Sequence, residues 1–185
     1  MIGVFMTIQS EYGIRRPIDD SLIEKISNGD TDAFRELYES ASKSVYGFAL
    51  SILKNRYDAE DVLQDTFLRV YKNASGYKAK GKPMAWMLRI TKNLALTRLR
   101  EKSKNEEYNL SAEAPDFSFV ENTDSRLLLE KLFTILSDDE KQIVVLHVTG
   151  GLKHRETAEI LELPLGTVLA KYNRAIKKLR TETEE

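Results

Sequence analysis

Apolar side chains recur every three or four residues along the N-terminal half of the chain, which is the spacing of amphipathic helices. The predicted helices cover residues 20–27, 32–54, 58–73 and 83–103. Asp32 is the expected N-cap of the second helix, and Pro83 is expected at the first position of the fourth, where proline is tolerated. The pair Asn28-Gly29 suits the left-handed turn after a helix. We expect the four helices to share one hydrophobic core.

The helical spacing stops at residues 105–126, which are polar, acidic and aperiodic and include Pro115. We interpret this segment as a flexible linker. Beyond it, helices are predicted at residues 127–136, 138–148, 153–161 and 165–180. Ser137 and Glu140 have the spacing of a capping box, and the last two helices have the proportions of a helix-turn-helix.

The predicted fold class is therefore all-α, with two small helical domains joined by an acidic flexible linker. The domain boundaries follow from the same pattern. They are an N-terminal extension at residues 1–19, a helical bundle at 20–104, the linker at 105–126 and a helix-turn-helix domain at 127–181. The pattern suggests no role for the first 19 residues.

Charge is strongly segregated, although the net charge is only -1. Residues 78–104 contain nine basic groups and one acid, and residues 153–180 contain seven basic groups and three acids. The linker between them holds six acids and one base. Such concentrated positive charge indicates a polyanionic partner, and nucleic acid is the obvious one.

Composition narrows the chemistry further. The sequence has no Cys and two His, so a disulfide framework and a Cys-ligated zinc site are excluded. No stretch approaches the ~18–20 consecutive apolar residues that a membrane span requires. We therefore expect a cytoplasmic protein with no cofactor, no metal and no small-molecule substrate.

The helix at residues 58–73 carries an apolar side chain on its otherwise polar face. Leu68 lies opposite the predicted buried stripe, among Asp61, Gln64 and Asp65; we call these four residues the docking face. A lone exposed leucine usually has no function, but an apolar anchor with a polar rim is typical of a helix-docking site. Metal or acid/base chemistry explains the acids less well, because neither a histidine nor a glycine-bearing ligand loop accompanies them.

The helix at residues 83–103 combines an aromatic ring, an amide and guanidinium groups on one side. We call this set the basic face: Trp86, Arg89, Asn93 and Arg100 in one narrow sector, with Lys92 and Arg98 beside it. Rings and guanidinium planes stack on unpaired bases and Asn bonds base edges, so this face predicts binding to single-stranded or melted DNA. An equally good interpretation makes Trp86 a core residue with cations around it.

The last predicted helix offers cations on one side and apolar side chains on another. Its N-terminal part would enter the major groove, which makes Thr167 and Lys171 candidates for contacts with bases. Other cations are expected to meet phosphates, namely Arg155 on the preceding helix, Arg174, Lys177 and Lys178. The alternative is a solvated, lysine-rich helix C-terminus that complements the helix dipole.

Three segments, in this order, resemble the extracytoplasmic-function (ECF) sigma factors, the smallest members of the bacterial sigma family. DAEDVLQDTFLRVYKN resembles the polymerase-docking helix, KPMAWMLRITKNLALTRLR the promoter-melting and minus-ten segment, and residues 136–180 the minus-thirty-five reader. The resemblance implies that residues 20–104 form sigma region 2 and residues 127–181 form sigma region 4.

The resemblance also implies a function and partners. The chain would bind core RNA polymerase, through the beta-prime coiled coil and the beta subunit, and direct initiation at promoter DNA. The docking face would meet the coiled coil, and Asn93 with its neighbouring cations would engage the opened non-template strand. Thr167, Lys171 and Arg174 would face the minus-thirty-five duplex. An anti-sigma factor is a further partner typical of the family.

The sequence departs from the family pattern at three points. Glu162 stands where the family often has Gly, Ala170-Lys171 where it has Ser-Arg, and Thr97 where an Asp is common. These departures bear on which promoter sequence is preferred. The main alternative is a stand-alone helix-turn-helix regulator, which explains the C-terminal domain but leaves the docking face and the basic face without a purpose. A nucleic-acid enzyme is a weaker alternative.

Overall fold

The computed structural model describes residues 18–104 and 133–181. The first segment contains helices α1 (Asp20–Ser27), α2 (Thr31–Leu53), α3 (Arg56–Asn73) and α4 (Pro83–Lys104), with a 3₁₀ turn at Ala74–Gly76. As predicted, α4 begins at Pro83, and Gly29 after α1 is left-handed with φ +87°. The prediction of Asp32 as N-cap of α2 is wrong. The Asp30 carboxylate accepts hydrogen bonds from the backbone N–H groups of Asp32 and Ala33, so Asp32 lies in the first turn.

The second segment contains α5 (Asp138–Val144), α6 (His154–Leu161) and α7 (Leu165–Thr181). The predicted helix at residues 138–148 does not stay α-helical, because Val145–Thr149 form a π-helical turn. The turn ends at Gly150, where a β-carbon would lie 2.7 Å from the backbone carbonyl oxygen of Leu146 and 3.1 Å from a methyl group of Leu88 in α4. The contact with the carbonyl oxygen is too short for any β-carbon, so the backbone at the end of the π turn favours glycine at this position.

Three predicted elements fall partly or wholly outside the described residues. They are the N-terminal extension at residues 1–19, the linker at 105–126 and the helix at 127–136, of which residues 133–135 are described and helical. In the two described segments the all-α prediction is confirmed. Within the same residues, no helix combines the length and the apolar character needed to cross a membrane.

Helix α2 lies at the centre of the fold. Its fully enclosed Val45 and Phe48 belong to one hydrophobic cluster with Leu88 of α4 and Leu146 of the π turn. A second cluster joins Leu50 of α2 to side chains of α3, α4, α5 and α7. The two predicted groups of helices thus pack directly against each other through apolar side chains, whose removal from water is the main stabilising contribution.

Candidate functional site

The docking face of α3 is exposed, as the helical spacing indicated. The opposite side of α3 buries Val62 and Val70. Leu68 keeps 54% of its surface exposed, and the side chains around it are also exposed: Asp61, Gln64 and Asp65. An apolar side chain held open on a rigid helix and rimmed by acids offers a partner both buried area and charge recognition.

Tyr71 extends the docking face, and the sequence analysis missed it. It follows Leu68 by three residues, which places both on the same side of α3. Tyr71 is 48% exposed, and its ring packs edge-on against Phe34 of α2 with a centroid distance of 5.5 Å. The signal was the spacing from Leu68, so a second anchor was within reach of sequence reasoning.

The basic face of α4 is divided between three environments. Asn93 and Arg100 are exposed. Trp86 is half-buried, packs against the main hydrophobic cluster and lies 4.8 Å from the Tyr77 ring between centroids. The Tyr77 hydroxyl in turn donates to Asp20, so the start of α4 is held by α1. Trp86 therefore belongs partly to the core and keeps part of its ring accessible.

Arg98 turns toward α3 instead of outward. Its Nε lies 3.2 Å from Asp58 Oδ1, and its Nη2 lies 2.7 Å from Asp61 Oδ2. Lys102 donates to the same buried Asp58 carboxylate. Burial opposes ionisation of Asp58, but the hydrogen bonds and charges of Lys102 and Arg98 outweigh burial and hold its pKa below the ordinary value. These cations thus neutralise a buried acid.

The remaining cations of the basic face meet acids on α6. Arg89 Nη2 lies 3.0 Å from Glu159 Oε2, and Lys92 Nζ lies 2.9 Å from Glu162 Oε1. Lys92 also donates to the backbone carbonyl of Ile160 at 2.7 Å. The hydrogen bond from Lys92, together with its charge, lowers the pKa of Glu162. Both cations therefore have protein partners at the position where the sequence analysis placed DNA.

Helices α6 and α7 form the helix-turn-helix that the spacing predicted. Glu162 ends α6 in the left-handed conformation, with φ +58°, which explains why glycine suits this position. The backbone N–H of Leu163 then donates to Ala158 O at 3.1 Å. Val168 of α7 is fully buried against Ile143 and Ala158, which fixes α7 on α5 and α6.

Two of the cations assigned to DNA lie on the side of α7 that faces α5. Lys171 Nζ is 2.7 Å from Asp139 Oδ2, and Lys178 Nζ is 2.7 Å from Glu140 Oε2. Thr167 is half-buried on the same side. Burial opposes ionisation of Glu140, but the bonds from Lys178 and Ser137 lower its pKa overall.

The outward side of α7 carries a different set of side chains. Arg174 and Lys177 are exposed there, as is Arg155 on α6. Leu169 and Asn173 lie on this side one turn apart and are exposed, and the sequence analysis named neither. Their i, i+4 spacing was visible, but only the packing of α7 on α5 distinguishes the outward side from the flank.

A cluster of three rings fills the space between the π turn, α6 and α7. The His147 and His154 rings stack at 4.1 Å, and Tyr172 lies 4.9 Å and 4.6 Å from them. Burial, and then the charge of His147, lowers the pKa of His154. Among residues 18–104 and 133–181, no group of acids and histidines has an arrangement that could hold a metal ion.

Comparison with known proteins finds two family models that match this chain. The family model described as Sigma-70 region 2 matches residues 37–105, and the one described as Sigma-70, region 4 matches residues 126–179. The chain is similar to the ECF RNA polymerase sigma factor SigW of Bacillus subtilis, with 28% identity over 88% of this chain and 95% of that protein. It is also 28% identical to SigK of Mycobacterium tuberculosis (strain ATCC 25618 / H37Rv), over 87% of this chain and 91% of that one.

Two solved structures share the fold. One is the sigma factor RpoE in complex with the anti-sigma factor NepR from Bartonella quintana, with a TM-score of 0.66, 20% identity, and coverage of 84% of this chain and 98% of that one. The other is CnrH in complex with the cytosolic domain of CnrY, with a TM-score of 0.60, 21% identity, and coverage of 90% and 97%.

Proposed function

This chain belongs to the extracytoplasmic-function sigma factors, and from that premise we propose how its surfaces divide the work of promoter-specific initiation. The family and the function predicted from the sequence motifs are confirmed: the chain is a promoter-directing sigma factor, and the stand-alone regulator is not favoured. Sigma factors are generally initiation factors without enzymatic activity. We infer that this one catalyses no reaction and acts in the cytoplasm.

We assign docking on core RNA polymerase to the docking face together with Tyr71. The observation that carries this assignment is Leu68, which is 54% exposed among acids on the side of α3 opposite the core. A helix of the polymerase beta-prime coiled coil would bury Leu68 and Tyr71, while Asp65 and Gln64 form the polar rim. Region 2 would then correspond to residues 20–104, and region 4 to residues 127–181 beyond the linker.

The basic face of α4 is the proposed binding surface for the opened strand of the minus-ten element. Exposed Asn93 supplies donors and an acceptor for a base edge, and Arg100 supplies positive charge nearby. Arg89 and Lys92 join them when they leave their acids on α6, and the accessible part of Trp86 offers a stacking surface. Arg98 has its main role in holding Asp58 and Asp61.

The outward side of α7 is the proposed binding surface for the minus-thirty-five duplex. Asn173 and Leu169 are placed to reach base edges in the major groove, because Asn bonds adenine and an apolar side chain contacts the thymine methyl group. Arg174, Lys177 and Arg155 would meet phosphates, which fix the register of the helix. Thr167, Lys171 and Lys178 border this side from the flank that faces α5.

A regulatory protein partner completes the proposal. Both solved structures described above are complexes, one with the anti-sigma factor NepR and one with the cytosolic domain of CnrY. We expect a comparable anti-sigma factor to bind this chain. Nothing in the described residues indicates a small-molecule substrate.

The test compares binding with and without polymerase. The purified chain is titrated into core RNA polymerase, and transcription is then assayed on a genomic fragment library. We expect a tight complex and transcripts from discrete starts that core polymerase alone does not give. Specific duplex binding by the free chain, combined with no start-specific transcript in the presence of polymerase, would favour the stand-alone regulator instead.

A further inference from the structure

Three large apolar side chains are exposed beside one another on α2 and α3. Tyr38 is 42% exposed, Leu68 54% and Tyr71 48%, and they are three of the six such side chains in the described part of the chain. The Tyr38 ring lies 4.7 Å from the Phe67 ring between centroids. The Phe34 ring lies 5.5 Å from that of Tyr71 and 6.1 Å from that of Phe67. These four rings, which we call the aromatic patch, continue the docking face onto α2, and a patch of this kind is typical of a surface that another segment covers.

Asp20 fixes the start of α1 beside the end of α3. Its carboxylate accepts hydrogen bonds from the Tyr77 hydroxyl at 2.5 Å and from the Gly81 backbone N–H at 2.6 Å. Tyr77 directly follows the 3₁₀ turn at the end of α3, and Tyr71 lies in the last turn of that helix. The chain before Ile18 therefore leaves the fold near the end of α3 that carries Tyr71.

Residues 1–17 lie outside the described range, and their composition complements this surface. Eight of these 17 residues are apolar, and the two basic residues Arg15 and Arg16 outnumber the one acid, Glu11. The docking face offers apolar anchors and acids such as the exposed Asp65. Reach is sufficient, because 17 residues extend up to about 56–61 Å, whereas ten residues of α3 rise only about 15 Å. Both apolar area and opposite charge thus favour binding of this segment to this surface.

A segment of the same chain has an advantage over a separate partner. Because residues 1–17 are joined to α1, their binding is intramolecular, and their effective concentration is on the order of millimolar. A contact with an intrinsic Kd of about 1 mM would then be occupied about half of the time. A second copy of the chain would need the same concentration in solution to compete.

We propose that residues 1–17 bind the docking face and the aromatic patch of the same chain and compete there with polymerase. Their apolar side chains cover Leu68 and Tyr71, and Arg15 and Arg16 meet the acids at the rim. This inference rests on the proposed role of the docking face and gives the N-terminal extension a function. Polymerase must displace the segment, so its apparent affinity for the chain falls by the fraction of time that the face is uncovered.

A photo-crosslinking residue at position 71 identifies what covers the face. Tyr71 is replaced by p-benzoylphenylalanine in the full chain, which is irradiated at micromolar concentration without polymerase and digested with trypsin. We expect mass spectrometry to find crosslinks to residues 1–15, because trypsin cleaves after Arg15, and to find them in the monomer band. The control places the same residue at Leu165 on α7, which is 41% exposed, and should give no such crosslink. Crosslinks confined to a dimer, or none to residues 1–17, would overturn the proposal.

The variant Arg15→Glu/Arg16→Glu tests the competition. Its matched control is Lys25→Glu/Lys104→Glu, which makes the same charge change at exposed sites on α1 and α4. We expect the variant to lose the crosslink and to bind core polymerase at least about fivefold more tightly than the wild type, the ratio for a face covered about 80% of the time. The control should match the wild type in both measurements.

Equal polymerase affinity of the variant and the wild type would overturn the competition. The crosslink is measured without polymerase, so its absence would leave the proposed docking role untouched. Failure of every form to bind polymerase would instead overturn that docking role, and the competition with it, while the crosslink would still identify the segment that occupies the face.

Discussion

The Arg98 guanidinium lies 2.7 Å from the Asp61 carboxylate, so the helix assigned to promoter DNA is tied directly to the face assigned to polymerase. The same guanidinium bonds Asp58, whose side chain is only 4% exposed. Arg98 thus holds α4 against α3. Its role is structural before it is one of DNA binding.

Replacing Arg98 by Ala should therefore destabilise the fold. The variant removes one of the cations that neutralise the buried Asp58 carboxylate, which should cost on the order of 1–3 kcal/mol of unfolding free energy. Arg100→Ala is the matched control, because Arg100 is exposed on the same helix. Thermal unfolding followed by circular dichroism should show a lower Tm for the first variant alone. Equal Tm values for the two variants would contradict a structural role for Arg98.

Asn173 should determine which promoter sequence is preferred, while contributing little to the overall affinity for promoter DNA. Asn173→Ala would remove the side chain proposed to contact a base edge, so discrimination at one base pair of the upstream element should fall by about 1–3 kcal/mol. Lys177→Ala, one turn further along, should weaken transcription evenly across sequences, because phosphate contacts carry no sequence information. The measurement is transcription by the reconstituted holoenzyme from a template pool randomised upstream of the start. An unchanged sequence preference in the Asn173 variant would exclude this residue from base reading.

Among the acids of the C-terminal segment, Glu140 should contribute most to the free energy of unfolding. It is 1% exposed, accepts from the Ser137 backbone N–H at 2.9 Å and pairs with Lys178 of α7. Glu140→Ala removes a helix cap and a charged hydrogen bond together, so we expect a loss of about 2–3 kcal/mol in urea unfolding. Asp139→Ala removes the more exposed Lys171 pair and should cost less than about 1 kcal/mol. Equal losses for the two variants, or a larger loss for Asp139→Ala, would contradict the importance of capping and burial at Glu140.

His154 should make stability depend on pH near neutrality. Burial and the neighbouring His147 lower the pKa of His154 in the folded chain, whereas the unfolded chain keeps the ordinary value of 6.5. The unfolded state therefore binds the proton first as pH falls. This contribution to stability is fully present above pH 6.5 and is lost below it, by at most about 1.4 kcal/mol per pH unit for one proton.

Urea unfolding at pH 7.5, 6.5 and 5.5 measures the effect. The wild type should lose stability between pH 6.5 and 5.5, and His154→Gln should lose less, because it removes the titrating ring. The carboxylates with lowered pKa, such as Glu156, act at lower pH and should affect both proteins equally. A variant with the same pH dependence as the wild type would show that His154 is not responsible.

The sequence was most informative where local rules decide the structure. Proline at the start of α4 and the left-handed Gly29 follow from backbone geometry that neighbouring residues alone determine. Leu68 was identified because helical periodicity separates an outward position from the buried stripe. The order of the helices and the exposure of the four residues of the docking face were therefore predictable from spacing.

The partners of the cations were not predictable in the same way. Arg98 and Asp58 are 40 residues apart, and Lys92 and Glu162 are 70 apart. A helical wheel shows which side of α4 a cation occupies, but it does not show which helix lies on that side. For the same reason, the outward side of α7 became clear only when Lys171 was seen to face Asp139.

Leu68 provides the most direct test, because the proposed contact with polymerase depends on it. Core RNA polymerase is reconstituted with the wild type, with Leu68→Glu and with the control Tyr57→Ser, which changes a 65% exposed side chain on the same helix. Transcript starts are then mapped on genomic DNA. We expect discrete starts with the wild type and the control, and at least about tenfold less transcript with the Leu68 variant, which corresponds to a loss of about 1.4 kcal/mol in docking. Starts that do not depend on the chain, or a Leu68 variant as active as the control, would contradict the account.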